Sequence, residues 1–335
     1  MLVWLGFFAC AAAVYISGVQ LAKSGDVIAQ RTGLSRTWVG VVLLATVTSL
    51  PEALTGFSAV VIVDAPQIAV GDVAGSCALN LLIIALLDAT SRSDPLLSRV
   101  SQGHVLSAAF GIVLLGATLA WMLAADTLPQ ILWFSPVSLV LILGYLFAMR
   151  TIFHFERRQR LTLTGSGAMP AGEKVYSGAE IRHAYYVFAF NALVIAVAAT
   201  ILPETGQRIA DQTGLSESFI GTMLIAITTS LPELTVALTA LSIGASDLAL
   251  GGLLGSNLIN LGILGFDDLL YRFGPLMLEI PRAQAVTMVT ASVMTGIVII
   301  GLTLQPSRKP PYLAWDAIAM IAVYLSGAAL LYAMS

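Results

Sequence analysis

The tetrapeptide Ser-Leu-Pro-Glu occurs twice, at residues 49–52 and 230–233, each time in the middle of an apolar stretch long enough to cross a bilayer. Glu52 is the one charge within residues 38–63, and Glu233 is the one charge within 219–243. A carboxylate at bilayer depth costs about 2.5–3.5 kcal/mol even on lenient insertion scales. A chain that accepts this cost twice, beside a helix-breaking proline each time, points to a protein that holds cations.

The rest of the chain agrees that lipid is its solvent. Of its residues, 58% are hydrophobic and 10% charged, where a soluble domain carries about 25% charged residues. Cys10 and Cys77 lie in apolar segments and form neither a disulfide framework nor a metal-ligand spacing. No basic segment precedes the first apolar run, so it reads as a membrane span, not a cleaved signal. Apolar windows predict an all-α integral membrane protein with ten helices, near 2–22, 37–63, 67–90, 104–124, 131–153, 183–202, 218–243, 246–270, 284–304 and 313–333. With both termini outside, 13 of the 16 Lys and Arg residues fall in cytoplasmic loops, and only Arg208, Arg272 and Arg282 face outward. A bacterial-type plasma membrane is the expected location. Residues 154–182, polar and basic, read as a cytoplasmic linker between a first five-helix repeat (1–153) and a second (183–335).

The halves repeat. Residues 25–52 and 206–233 share 15 of 28 positions. After a one-residue gap the match resumes at Gly71/Gly251, Gly75/Gly255, Ser76/Ser256, Asn80/Asn260 and Asp88/Asp268. Five spans per half is an odd number, so the halves enter the membrane from opposite sides. Such inverted repeats are common in secondary transporters, whose cargo sits at the midplane between broken helices.

Pro51 and Pro232 lack the N–H that would serve the carbonyls of Val47 and Thr228. Freed carbonyls at membrane depth need another partner, and a dehydrated cation is one. Thr48 and Glu52 share a helix face, as do Thr229 and Glu233; Ser49 and Ser230 stand beside them. On the next span Ser76 and Asn80 share a face, matched by Ser256 and Asn260. Together these segments offer only oxygen donors, which suits hard cations such as Ca2+ and Na+ and gives zinc or copper no soft ligand set. Singly, a proline is a kink, a Ser or Thr back-bonds to its own helix, and a glycine face packs. Their recurrence in register, twice, favours an ion site.

The paired segments, each Ser-Leu-Pro-Glu followed by Gly-x-x-x-Gly-Ser and an Asn four residues after that Ser, resemble the alpha-repeats of the cation/calcium exchanger superfamily, which includes the sodium/calcium exchangers. The resemblance is specific over residues 45–80 and 226–260. It implies a ten-helix inverted-repeat fold and a Ca2+ site held by Glu52 and Glu233. It also implies Na+ sites sharing Thr48, Ser49, Ser76, Thr229, Ser230, Ser256 and the carbonyls of Ala45 and Ala226. The chain departs from the pattern in three places. Cys77 stands where the second repeat has Asn257. Asp72 and Gly252 replace a common Asn. An amide, Asn260, stands where some members carry a third carboxylate. Asp72 is thus an accessory carboxylate, a residue of the access path or a structural residue near the surface.

Two carboxylates neutralise one Ca2+. Once it leaves, two like charges remain close together in low dielectric, which is unfavourable, so Na+ or H+ must replace it. The sequence therefore predicts an antiporter with no cofactor and no nucleic-acid partner, its cargo being Ca2+ and Na+ or, alternatively, H+. A cation channel is the more distant alternative, since filters usually arise from oligomeric symmetry. An intramembrane enzyme lacks a nucleophile pattern.

Overall fold

The computed structural model describes residues 2–31, 45–90, 94–124, 133–164, 177–242, 244–305 and 313–334. Among the described residues, ten helical spans long and apolar enough to cross a membrane follow in chain order, counting the bent pair of the seventh as one. The first half comprises α1 (Leu2–Arg31), broken α2 (Ala45–Thr48 and Leu50–Ser58, ending in the π-helical turn Ala59–Val63), α3 (Pro66–Thr90), α4 (His104–Ala124) and α5 (Pro136–Thr164). The second comprises α6 (Gly178–Thr213), broken α7 (Glu217–Ile220, the π-helical turn Gly221–Ile225, Ala226–Thr229 and Leu231–Ser242), α8 (Ser246–Leu270), α9 (Ala283–Leu304) and α10 (Trp315–Ala333). Five spans per half give the two halves opposite membrane topologies, so the fold is the ten-helix inverted repeat.

Burial separates the helices by role. In α3 and α8, 83% of the most apolar window is buried, against 28% in α1 and α6. The central helices are the ones whose sequences carry Gly71, Gly75, Ser76 and Asn80 and their repeat partners. Helices α1 and α6 pack along each other in front of them, while α4, α5, α9 and α10 close the far side. Where α3 meets α7, a Cβ on Gly71 would lie 3.0 Å from the Gly221 Cα. Glycine on both helices is what allows this backbone-to-backbone approach.

Several helices outrun their hydropathy windows. Helix α1 continues to Arg31, α5 to Thr164, and α6 covers Gly178–Thr213. Hydropathy measures what lipid tolerates, whereas a helix needs only its own backbone bonds and caps. Helix α6 starts with a capping box, in which the Ser177 hydroxyl accepts from Glu180 N–H and the Glu180 carboxylate accepts from Ser177 N–H. It ends at Gly214 with φ of 74°. Of the predicted linker, 165–176 lies outside the described residues. Ser216 caps α7, accepting from Phe219 N–H at 3.2 Å; its repeat partner Ser35 lies outside the described residues.

Asp88 and Asp268, matched across the repeats, are helix-end staples. Asp88 accepts from the N–H groups of Leu96 and Ala314, both at 2.8 Å, and so ties the end of α3 to the start of α10. Asp268 accepts from Leu276 N–H and Ser135 N–H, both at 2.6 Å, and from the Ser138 hydroxyl, tying α8 to α5. Neither role depends on an ion. Asp88→Ala leaves two buried N–H groups without that acceptor, a loss of about 3 kcal/mol. We expect the detergent-solubilised variant to melt several degrees lower while its transport per folded molecule stays at the wild-type value.

Candidate cation-binding site

Both broken helices break at the serine of the repeated tetrapeptide. Ser49 has φ −84° and ψ 9°, and Ser230 has φ −86° and ψ 4°. The last turn of each first half therefore ends in carbonyls, while Glu52 and Glu233 sit in the first turn of each second half. The positive helix N-terminus favours the carboxylate, and the carbonyl end of the preceding segment favours a cation beside it. The two segments of α7 meet at 42°.

The glutamates are fully buried, 0% exposed at Glu52 and 3% at Glu233. Their hydroxyl partners cross between the repeats. Ser49, of the first half, donates to Glu233 Oε1 at 3.5 Å, and Ser230, of the second, donates to Glu52 Oε1 at 3.4 Å. Each glutamate also receives the serine of its own repeat, Ser76 to Glu52 and Ser256 to Glu233, both at 3.5 Å. Thr48 reaches Ser256, Thr229 reaches Ser76, and Ser230 donates to Ser76 at 3.1 Å. One cluster thus contains both carboxylates and six hydroxyls, two-fold in pattern.

These contacts lie at the long end of hydrogen bonding, and they serve one oxygen of each glutamate. Glu52 Oε2, Glu233 Oε2, Asn80 Oδ1 and both amide atoms of Asn260 have no hydrogen-bond partner. A buried charged acceptor left unpartnered is costly. Among the described residues no cation pairs with the glutamates: the ion pairs there are Arg99–Asp94, His104–Asp247 and Arg208–Glu204, all elsewhere. Among those residues, too, no group of three His, Cys, Asp or Glu side chains has metal-holding geometry. The donor set is two carboxylates supplemented by hydroxyl, amide and carbonyl oxygens, a set suited to hard cations.

The carbonyls of Ala45 and Ala226 point into the same breaks. Ala45 O accepts from Ser49 N–H at 3.0 Å and from the Thr48 hydroxyl at 3.3 Å; Ala226 O accepts from Ser230 N–H at 3.0 Å and from the Thr229 hydroxyl at 3.2 Å. Asn80 and Asn260 are not equivalent. Asn80 Nδ2 donates to Asn257 Oδ1 at 2.9 Å, and Asn257 Nδ2 donates to the Cys77 carbonyl at 3.1 Å. The departure at Cys77 thus leaves Asn257 as a cross-link between α3 and α8. Asp72 is 0% exposed, and its Oδ1 accepts from the Thr229 hydroxyl at 2.8 Å.

Two buried polar residues were not legible as part of this region. Gln284 of α9 donates to the Ser218 carbonyl at 3.1 Å and to the Thr222 hydroxyl at 3.3 Å, pinning the π-helical turn of α7. The only signal was a buried-length amide on an apolar helix. Asp267, beside Asp268 in the chain, is 2% exposed and lies against Gly56 of α2.

A family profile described as sodium/calcium exchanger protein matches residues 2–153 and 183–333. The chain belongs to the sodium/calcium exchanger family. An uncharacterized membrane protein of Methanocaldococcus jannaschii is 25% identical over 89% of this chain and 87% of its own. Among solved structures, the sodium-calcium exchanger NCX_Mj superposes with a TM-score of 0.63 at 20% identity, covering 98% of both chains. The H+/Ca2+ exchanger CAX superposes with a TM-score of 0.66 at 13% identity, covering 99% of this chain and 86% of its own. Both share the fold of this family member, an integral membrane protein of the antiporter class.

Proposed function

We propose that this exchanger carries Ca2+ in one direction and Na+ in the other by alternating access, with Glu52 and Glu233 holding the ion at the midplane. The observation that carries the reading is the crossed pair of carboxylates. Each is supplied by one repeat, hydrogen-bonded by the serine of the other, and left with one unpartnered buried oxygen. An ion between them is held by both halves at once, so relative movement of the halves changes its access without dismantling its ligands.

Ca2+ neutralises the two carboxylates. On its release the paired negative charge has to be met by other cations before the site crosses the membrane. Rotation of the Thr48 and Thr229 hydroxyls would free a lone pair of the Ala45 and Ala226 carbonyls for Na+, in company with Ser49, Ser76, Ser230 and Ser256. Asn80 and Asn260 supply neutral oxygens, so the site keeps a formal charge of −2. Asp72 is held one hydrogen bond away, on Thr229. The Lys and Arg distribution supports an orientation with both termini outside and residues 154–182 in the cytoplasm.

Proton coupling is the second reading, because the same two carboxylates can be neutralised by H+. Uptake of 45Ca2+ into proteoliposomes separates the two. An outward Na+ gradient at matched pH should drive uptake, and a pH gradient at equal Na+ should not. Uptake driven by the pH gradient alone would transfer the assignment to H+/Ca2+ exchange.

A further inference from the structure

Resting on that reading, the two repeats offer two unlike approaches to the glutamates. Toward the N-terminal end of α8 runs a narrow cleft lined by Ala45, Thr48, Glu233, Ala237, Ala249 and Gly252. Beyond Thr48 and Glu233 its walls are apolar throughout. The repeat relates this route to one toward the N-terminal end of α3, with Thr229 for Thr48, Glu52 for Glu233, Gly56 for Ala237, Ala69 for Ala249 and Asp72 for Gly252. Asp72 fills the position that Gly252 leaves open and is hydrogen-bonded to Thr229. Asp267, near the end of α8 at the same membrane face, lies against Gly56.

Both aspartates are more than nine-tenths buried, and each has a carboxylate oxygen, Asp72 Oδ2 and Asp267 Oδ2, without a partner. The Thr55 hydroxyl, one turn from Glu52, is buried and unpartnered on the same side. Asp72 lies within electrostatic reach of both Glu52 and Asp267. The repeat partner of Asp267 is Leu87, so neither aspartate has an acidic counterpart on the other route.

We propose that Asp72 and Asp267 are successive docking carboxylates for divalent cations on the α3 route, which make capture of Ca2+ stronger on that membrane face than on the other. Acidic walls in a low-dielectric passage concentrate cations roughly ten- to a thousandfold. The apolar cleft beside Gly252 has no such effect. On the Lys and Arg topology, the acidic route opens outside.

The test is the half-saturating Ca2+ concentration on each face, read as 45Ca2+ exchange in right-side-out and inside-out vesicles carrying the full-length protein. Asp267→Asn should raise it about tenfold on one face relative to the other. Gly252→Asp is the converse. A Cβ at Gly252 meets nothing within 4 Å, so the carboxylate fits, and the half-saturating concentration on the opposite face should fall severalfold. Equal shifts on both faces, or none from either variant, would overturn the route. If Asp267→Asn fails to fold, Gly252→Asp alone decides. Wild-type vesicles that exchange no Ca2+ on either face would instead overturn the functional reading, and the route with it.

Discussion

Glu52→Gln and Glu233→Gln will each lower Ca2+ exchange by at least a hundredfold while leaving the protein folded. Glutamine keeps the volume and an acceptor oxygen for the crossed serines, so packing and the Ser49 and Ser230 contacts survive. What is lost is one of two negative charges around a divalent ion. Two unit charges at ~4 Å interact by about 4 kcal/mol at an effective dielectric of 20, and each ~1.4 kcal/mol is tenfold in affinity. Wild-type exchange by either variant, in protein that elutes as a single species, would remove that glutamate from the site.

The second large effect is structural. Gly75→Leu should yield no folded protein. A Cβ at Gly75 would lie 2.5 Å from the Thr222 carbonyl oxygen, 2.7 Å from the Ala226 Cβ and 2.8 Å from the Thr222 Cα. Those atoms belong to the π-helical turn of α7 and the segment after it, so a flexible side chain cannot move aside. The whole helix would have to withdraw, and the hydroxyl cluster with it. Gly296→Leu is the control, because a Cβ there meets nothing within 4 Å. Size-exclusion profiles of the detergent-solubilised variants should separate the two: recovery of monodisperse Gly75→Leu would show that the close crossing is not required.

Much of this was legible because the repeat prints each half twice. The pairing of Ser49, Glu52, Ser76 and their partners gave the two-fold cluster, and the odd number of spans gave its inversion. What could not be read were choices made between residues far apart in sequence. Ser49 serves the glutamate of the other half, 184 positions away. Asn80, equivalent to Asn260 in sequence, spends its amide on Asn257. His104, at the start of α4, is 5% exposed and bonded to Asp247 at 3.0 Å, whereas His154 and His183 are exposed. Local pattern shows that a histidine stands at a helix end, not that the first turn of a distant helix, α8, will meet it. The helix ends beyond the bilayer were missed for a related reason, since hydropathy registers lipid and not caps.

The central claim is that one site serves both ions and does not cross the membrane with its charges unmet. Release of 45Ca2+ from loaded proteoliposomes tests it most directly. In medium free of Na+ and Ca2+, at equal internal and external pH, release should stay at the rate of protein-free vesicles, and adding external Na+ should start it at once. Steady release through the wild-type protein with no counter-cation supplied and no proton uptake into the vesicles would contradict obligate exchange and identify a channel.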